Sequence, residues 1–250
     1  MNFDDLNLNN PLRNALADLE YMDPTPIQVA AFSPIMSGKD VVGVAQTGTG
    51  KTFAYLLPLL RMLQFSTDGN PRIVILVPTR ELVVQVTEEV KKLTAYMTVR
   101  AVGVYGGTNI NTQKLAVAEG VDVVVGTPGR FFDLALSGAF KMKLLKKLVI
   151  DEVDEMLNLG FRTQLKNILD LLPEKRQNLL FSATLTEDVE NLINDYFFEP
   201  LKIEIAPHGT PLEQIRQNGY FGANFNTKTN LLELLLKDDE SMNKVLVFVS

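Results

Sequence analysis

The chain is predicted to fold as an α/β domain on a parallel sheet of about seven strands with helices on both faces, and three observations carry that prediction. Short apolar, β-branched runs recur at residues 40–45, 73–77, 99–104, 121–125, 147–150, 178–182 and 201–205, most of them separated by segments of helical periodicity. Runs such as Ile73-Val74-Ile75-Leu76-Val77 and Val121-Asp122-Val123-Val124-Val125 are continuously apolar rather than alternating, which suits strands buried on both faces. A glycine-rich loop follows the first run and opens a helical segment, and ligands of such sheets sit at the carboxyl ends of the strands.

That loop, Ala45-Gln46-Thr47-Gly48-Thr49-Gly50-Lys51-Thr52, is the strongest chemical signal. Glycines let backbone N–H groups point into a concave nest at a helix N-terminus, where the dipole favours negative charge. Lys51 adds a full positive charge, and the Thr52 hydroxyl is a ligand for Mg²⁺. The first glycine of the general P-loop pattern is replaced by Ala45, so the strand, lysine, hydroxyl and helix in register carry the assignment to a nucleoside triphosphate site.

Further along, Leu148-Val149-Ile150-Asp151-Glu152 is an apolar strand ending in two acids. A carboxylate at a strand tip can hold the Mg²⁺ that Thr52 also touches, and its neighbour can orient or deprotonate an attacking water. Asp151 is assigned to the metal and Glu152 to the water.

Composition sets the outer bounds. With 250 residues, 46% hydrophobic and 22% charged, the chain is long enough for one large α/β domain and some remainder. It contains no cysteine, which removes disulfides, thiolate metal sites and cysteine nucleophiles together. No apolar run approaches the roughly 18 residues of a membrane span, and no basic-then-apolar leader opens the chain, so a cytoplasmic protein without membrane contact is expected. The net charge of -6 argues against a broad basic nucleic-acid surface but leaves room for a local groove.

The domain plan is 1–206 for the α/β domain, 207–211 for a linker and 212–250 for the start of a second domain. Ala206-Pro207-His208-Gly209-Thr210-Pro211 marks the boundary, with two prolines and a glycine in six residues. A strand-like run at 219–225, a helix at 231–236 and an apolar strand at 245–249 then form a short βαβ-like fragment. About forty residues do not usually bury a core of their own, so the fragment is read as truncated.

With these motifs in order, the chain resembles the first RecA-like half of a DEAD-box RNA helicase of superfamily 2. Tyr21-Met22-Asp23-Pro24-Thr25-Pro26-Ile27-Gln28 is similar to the family's Q motif, with the aromatic Phe3 at the expected distance before it. The resemblance implies that the Gln28 amide reads the adenine edge while Phe3 stacks on the base, favouring ATP over GTP. Pro78-Thr79-Arg80-Glu81-Leu82 resembles motif Ia, Gly106-Gly107 the glycine pair and Thr127-Pro128-Gly129-Arg130 motif Ib. In the family these loops contact the sugar-phosphate backbone of single-stranded RNA, which suits small residues, hydroxyls and arginine and is blind to sequence. Ser182-Ala183-Thr184 resembles motif III, whose two hydroxyls would bond to the acidic motif and couple the nucleotide site to movement of the two halves. Residues 245–250 look like motif IV.

The resemblance implies an RNA-stimulated ATPase that uses ATP and Mg²⁺ and locally unwinds duplex RNA, with a second RecA-like domain, mostly absent here, and room for protein cofactors. The arginines that complete the site from that domain are absent, so little turnover is expected from these 250 residues alone. Two alternatives carry different expectations: a nucleotide-gated RNA-binding module without turnover, and a DNA-directed translocase of the same superfamily. Two positions depart from the family pattern: Val153 stands where the name motif has alanine, and Glu20 where glycine is common, which would strain a backbone of positive φ. His208 and the lysines 141, 143, 146 and 147 read as solvated. Phe131, Phe132 and Phe161 read as packing residues, although Gly160-Phe161-Arg162 resembles a loop near the RNA side.

Overall fold

A computed structural model describes residues 2–64, 66–205, 218–237 and 244–248. The chain divides into two compact units, 1–209 and 210–250.

The first unit opens with helices α1 (Asn10–Asp18) and α2 (Pro26–Met36). Asn9 caps α1 by accepting from the Leu12 N–H, and a proline stands in the first turn of each helix, where its missing N–H costs nothing. Strand and helix then alternate: β1 (Val41–Val44), α3 (Lys51–Met62), β2 (Ile73–Leu76), α4 (Arg80–Leu93), β3 (Ala101–Val104), α5 (Ile110–Ala118), β4 (Val123–Gly126), α6 (Pro128–Leu136) and β5 (Lys147–Asp151). The pattern finishes with α7 (Val153–Asn158), α8 (Arg162–Leu171), β6 (Gln177–Ser182), α9 (Glu187–Tyr196) and β7 (Leu201–Glu204). The seven strands form one sheet in the order β3-β4-β2-β5-β6-β1-β7, and every paired neighbour is parallel.

The continuously apolar runs are explained by the two cores they serve. Ile73, Ile75, Val123, Val125, Val149, Leu179 and Phe181 point into one core together with residues of α1 to α4. Val74, Leu76, Val124, Leu148, Ile150 and Leu180 point into the other, with residues of α6, α8 and α9. Successive side chains leave a strand on opposite faces, so a sheet covered twice needs apolar residues at every position. Val153 is fully buried in the second core, so the volume added by this departure from the family pattern is accommodated.

Glu20 does adopt the left-handed backbone that its position invited, with φ +58°. It ends α1 in a Schellman arrangement: the Glu20 N–H donates to the Ala17 carbonyl and the Tyr21 N–H to the Leu16 carbonyl, both at 3.0 Å. A side chain at such a position costs roughly 1–2 kcal/mol relative to glycine, part of which glycine loses again through its greater freedom when unfolded. Glu20→Gly is therefore expected to stabilise the unit by about 0.5–1 kcal/mol, raising the thermal midpoint by roughly 1–4 °C in a melting experiment.

The C-terminal unit differs from expectation. Its described part consists of α10 (Phe225–Lys237), which begins earlier than the helix expected at 231–236, and no strand forms at 218–224 or 244–248. Leu246 and Phe248 are 78% and 87% exposed. Apolar β-branched residues favour strand only against a neighbouring ladder, and none is described beside them. The expected linker, with His208, and the end of the motif IV segment lie outside the described residues. No helix among the described residues is long and apolar enough to cross a membrane.

Candidate active site

The strand order gathers the chemistry at the carboxyl edge of the sheet. β6 lies between β5 and β1, with Asp151 opposite Phe181 and Val44 opposite Ser182. The loop after β1, the acidic tip of β5 and the Ser182–Thr184 segment after β6 therefore meet at one place. β2, β4 and β3 adjoin on the other side, so the loops carrying Pro78–Arg80, Gly106–Gly107 and Thr127–Arg130 form a second cluster along the same edge.

In the first cluster Gly48 and Gly50 hold φ of +84° and +88°. A Cβ at Gly50 would stand 2.5 Å from the Gln28 Nε2, whereas one at Gly48 would meet nothing within 4 Å. Gly50 is thus required by a close approach, and Gly48 opens onto the space a phosphate would fill. Gly50 caps α3 without a side-chain bond, leaving the first-turn N–H groups of that helix pointing into the loop. Within the loop the Thr49 hydroxyl donates to the Gln46 carbonyl at 2.7 Å, and the Ala45 N–H donates to the Ser182 carbonyl at 3.1 Å. Lys51, at the first position of α3, is 6% exposed and its Nζ has no hydrogen-bond partner. A buried ammonium without a partner is costly, and an anion in the loop would supply what it lacks. The residues present fit a nucleotide phosphate.

Asp151 is buried, with its Oδ1 accepting from the Glu152 N–H at 3.0 Å and its Oδ2 from the Tyr55 hydroxyl at 2.9 Å. Burial pushes its pKa up to about 6, against the opposing pull of Lys51 and the Tyr55 hydrogen bond. Burial and the charge of Asp151 push Tyr55 well above the usual phenol range, so it remains a donor. Glu152 occupies a left-handed conformation, φ +54° and ψ +48°, as the residue that turns β5 into α7. Such a conformation in a non-glycine residue costs about 1–3 kcal/mol and is characteristic of functional turns. Burial raises the Glu152 pKa, Lys51 opposes the rise, and Asp154 and Glu155 add to it. No group of three or more acidic, histidine or cysteine side chains that could hold a metal occurs among the described residues. A Mg²⁺ ion would fit this donor set, since it is usually held by one or two protein oxygens together with phosphate and water, and Asp151 and Thr52 could provide those oxygens.

The Ser182–Thr184 segment is coupled to the acidic motif through one hydroxyl rather than the two expected. Thr184 donates to Asp154 Oδ2 from both its N–H and its hydroxyl, each at 3.0 Å, while Ser182 donates to the Thr184 carbonyl at 2.7 Å. Ser182 ends β6 fully buried beneath the loop, so its hydroxyl braces the turn and only Thr184 reaches the acid.

The adenine-side residues are placed unevenly. Gln28 is buried; its Oε1 accepts from the Thr25 N–H at 2.9 Å and its Nε2 donates to the Gly50 carbonyl at 3.1 Å. One N–H and one lone pair of the amide remain for a base. Phe3 is 7% exposed and packs into the first core, which leaves little of its ring as an open platform. Tyr21 is half exposed and meets the Phe53 ring edge-on at 5.1 Å.

In the second cluster, Arg80, Gly106, Thr127, Gly129, Arg130, Asp133 and Phe161 line one open depression of about 440 Å³. Thr79 caps α4 by accepting from the Leu82 N–H at 3.3 Å, and Pro128, at the first position of α6, is buried. The Arg80 guanidinium lies 4.9 Å from the centre of the Tyr105 ring. Arg130 donates to the Thr108 carbonyl at 2.9 Å and to Gln113 Oε1 at 3.0 Å, while Gln113 in turn donates to the Tyr105 carbonyl and the Thr108 hydroxyl. A Cβ at Gly106, Gly107 or Gly129 would meet nothing within 4 Å, so their backbones face open space. Sequence reasoning did not find Gln113 or Tyr55, because neither carries a local signal: Gln113 acts through Tyr105, Thr108 and Arg130, and Tyr55 through an acid 96 residues away. Phe161 reaches the depression, whereas Phe131 is fully buried and stacks on Phe140 at 5.5 Å.

A parallel seven-stranded sheet with an anion-ready loop after its first strand and an acid at the tip of an adjacent one defines a RecA-like nucleotide-binding domain. Known proteins narrow the class. The model of the DEAD/DEAH box helicase family matches residues 25–192, and the chain belongs to that family. It is 38% identical over 248 residues to the ATP-dependent RNA helicase DeaD of Escherichia coli strain K12, spanning 99% of this chain and 39% of that protein. It is 37% identical to the ATP-dependent RNA helicase RhlB of Pseudomonas putida, of which it spans 64%. Among solved structures, a DEAD box protein from the hyperthermophile Methanococcus jannaschii superposes with a TM-score of 0.78 at 32% identity, over 96% of this chain and 64% of the other. The chain thus covers about two fifths of the DeaD relative's length.

Proposed function

We propose that this chain is the ATP-binding part of an ATP-dependent RNA helicase, with 1–206 as the first RecA-like domain, 207–211 as a linker and 212–250 as the opening of a second. The observation that carries the reading is the buried ammonium of Lys51, without a hydrogen-bond partner beneath an open glycine loop and close enough to Asp151 and Glu152 to oppose the rise that burial gives both their pKa values. Lys51 and the first-turn amides of α3 bind the phosphates, and Gln28, tied to the loop at Gly50, reports the presence of adenine to it. Thr52 and Asp151 would hold Mg²⁺, which when bound would supply charge neutralisation at the phosphates. Glu152 orients the attacking water and accepts its proton, helped by burial, which raises its pKa. Thr184, bonded to Asp154, passes the state of the acidic motif to the loop after β6.

The depression lined by Arg80, Gly106, Thr127, Gly129 and Arg130 takes the RNA backbone, with Pro78 and Thr79 setting the start of α4 and Gly107, at φ +78°, leaving its backbone open beside Gly106. Backbone contacts give binding without base preference. On this reading the protein works on RNA in the cytoplasm.

Titration calorimetry with ADP and GDP, followed by ATP turnover with single-stranded RNA or DNA, tests the proposal. ADP is expected to bind at least about 10-fold more tightly than GDP, the effect of one mismatched hydrogen-bonding edge. Turnover in the presence of the second domain is expected to respond to RNA more than to DNA, because the 2′-hydroxyl distinguishes the two. A chain that binds neither nucleotide overturns the reading.

A further inference from the structure

We infer that Tyr55 is a positioning residue that fixes the carboxylate of Asp151 for the metal, an inference that rests on the metal-holding role proposed for Asp151. Tyr55 lies one turn after Lys51 on α3, and residues four apart share a helix face, so the same face that presents the phosphate-binding ammonium presents the phenol. The ring is fully buried, and its hydroxyl reaches across 96 residues of sequence to donate to Asp151 Oδ2 at 2.9 Å.

Packing alone does not call for that hydroxyl. A phenylalanine would fill the same volume without a polar atom to satisfy, and a buried hydroxyl is tolerated only where it finds a partner. Its partners here are the acid at the tip of β5 and the Thr52 side chain, the other group proposed to hold the metal. The acid's other oxygen is held by the Glu152 N–H, so the carboxylate is gripped at both ends and its plane cannot turn. The phenol is itself held: the Phe181 ring lies 5.3 Å from it, centre to centre, and occupies space that Gly43 leaves open, where a Cβ would come within 2.5 Å of the Phe181 ring. The chain of contacts runs from Gly43 to Phe181 to Tyr55 to Asp151, from the floor of β1 to the acid facing the loop above it. A group that orients a metal-holding side chain typically changes metal affinity by about 10–100-fold when removed.

The test is ADP affinity of the full chain, measured by calorimetry with and without Mg²⁺, for the parent, Tyr55→Phe and Phe181→Leu, each checked for a cooperative melting transition. The gain in ADP affinity that Mg²⁺ confers is expected to fall about 10-fold or more in Tyr55→Phe, with Mg²⁺-free ADP affinity unchanged. Phe181→Leu, which loosens the ring but keeps the hydroxyl, is expected to lose part of the same gain; this variant decides the matter if Tyr55→Phe does not fold. A folded Tyr55→Phe protein with the parent's full Mg²⁺ gain overturns the inference, since a merely structural hydroxyl would alter melting and not metal linkage. If the parent itself binds ADP with no Mg²⁺ dependence, the metal role of Asp151 fails instead.

Discussion

Glu152→Gln is expected to retain ADP affinity while lowering RNA-stimulated turnover by about 10²–10⁴-fold, the usual contribution of a positioned general base. The substitution keeps side-chain length and shape, and Glu152 donates to Asp151 through its backbone N–H, which glutamine preserves. The left-handed turn from β5 into α7 is therefore retained, and with it the placement of Asp151 and Asp154. What disappears is proton-accepting capacity at a site where burial and the neighbouring Asp154 and Glu155 raise the carboxylate pKa toward the range in which a base is effective. Steady-state turnover in the presence of the second domain and saturating RNA, alongside calorimetric ADP binding, checks the split. A loss of binding parallel to the loss of turnover would show Glu152 to be a structural support of the loop.

Lys51→Ala is expected to lower ADP affinity by about 10–150-fold for each bond lost, since a charge-assisted hydrogen bond to phosphate contributes roughly 1.5–3 kcal/mol. The nucleotide-free protein should remain folded, because the Nζ makes no hydrogen bond to a protein atom and its removal takes away only its attraction to Asp151 and Glu152. Alanine is also a better helix former than lysine at the start of α3. Thermal melting separates the two effects. The parent midpoint rises with added ADP according to ligand concentration over Kd, while that of Lys51→Ala stays at its nucleotide-free value. A variant that unfolds without nucleotide would place Lys51 in the scaffold rather than in the site.

Some residues announced these roles without a structure. The glycines, lysine and threonine of residues 48–52 lie together in the chain, and their conformational and charge properties require nothing distant to be understood. The acidic pair at 151–152 was legible because an apolar strand leads directly into it. Thr184 and its coupling to the acidic motif were anticipated, but the companion role for Ser182 was not realised: its hydroxyl bonds two residues along its own loop. Phe3 was expected to offer a stacking face, and the core takes most of it. Gln113 and Tyr55 gave no local sign, because a glutamine on one helix and a tyrosine on another acquire meaning only from the carbonyls and carboxylate they meet. The apolar residues at 245–248 read as a strand, yet apolar composition describes only a tendency to be covered, and strand structure needs a neighbour to complete its hydrogen bonds.

By itself the amino-acid sequence determined the α/β class, the seven strands, the nucleotide loop and the acid at a strand tip, because each depends on residues close together in the chain and on periodicity along it. Only the tertiary structure decided which strands are neighbours. The order β3-β4-β2-β5-β6-β1-β7 places the glycine loop beside an acid 100 residues away and sets the loops after β2, β3 and β4 along the same edge. It also decided that Lys51 is buried without a partner, that Asp151 is held from both sides, and that Glu152 turns through a left-handed conformation. Burial, electrostatic proximity and hydrogen-bond geometry arise between segments distant in the chain, and no local pattern encodes them.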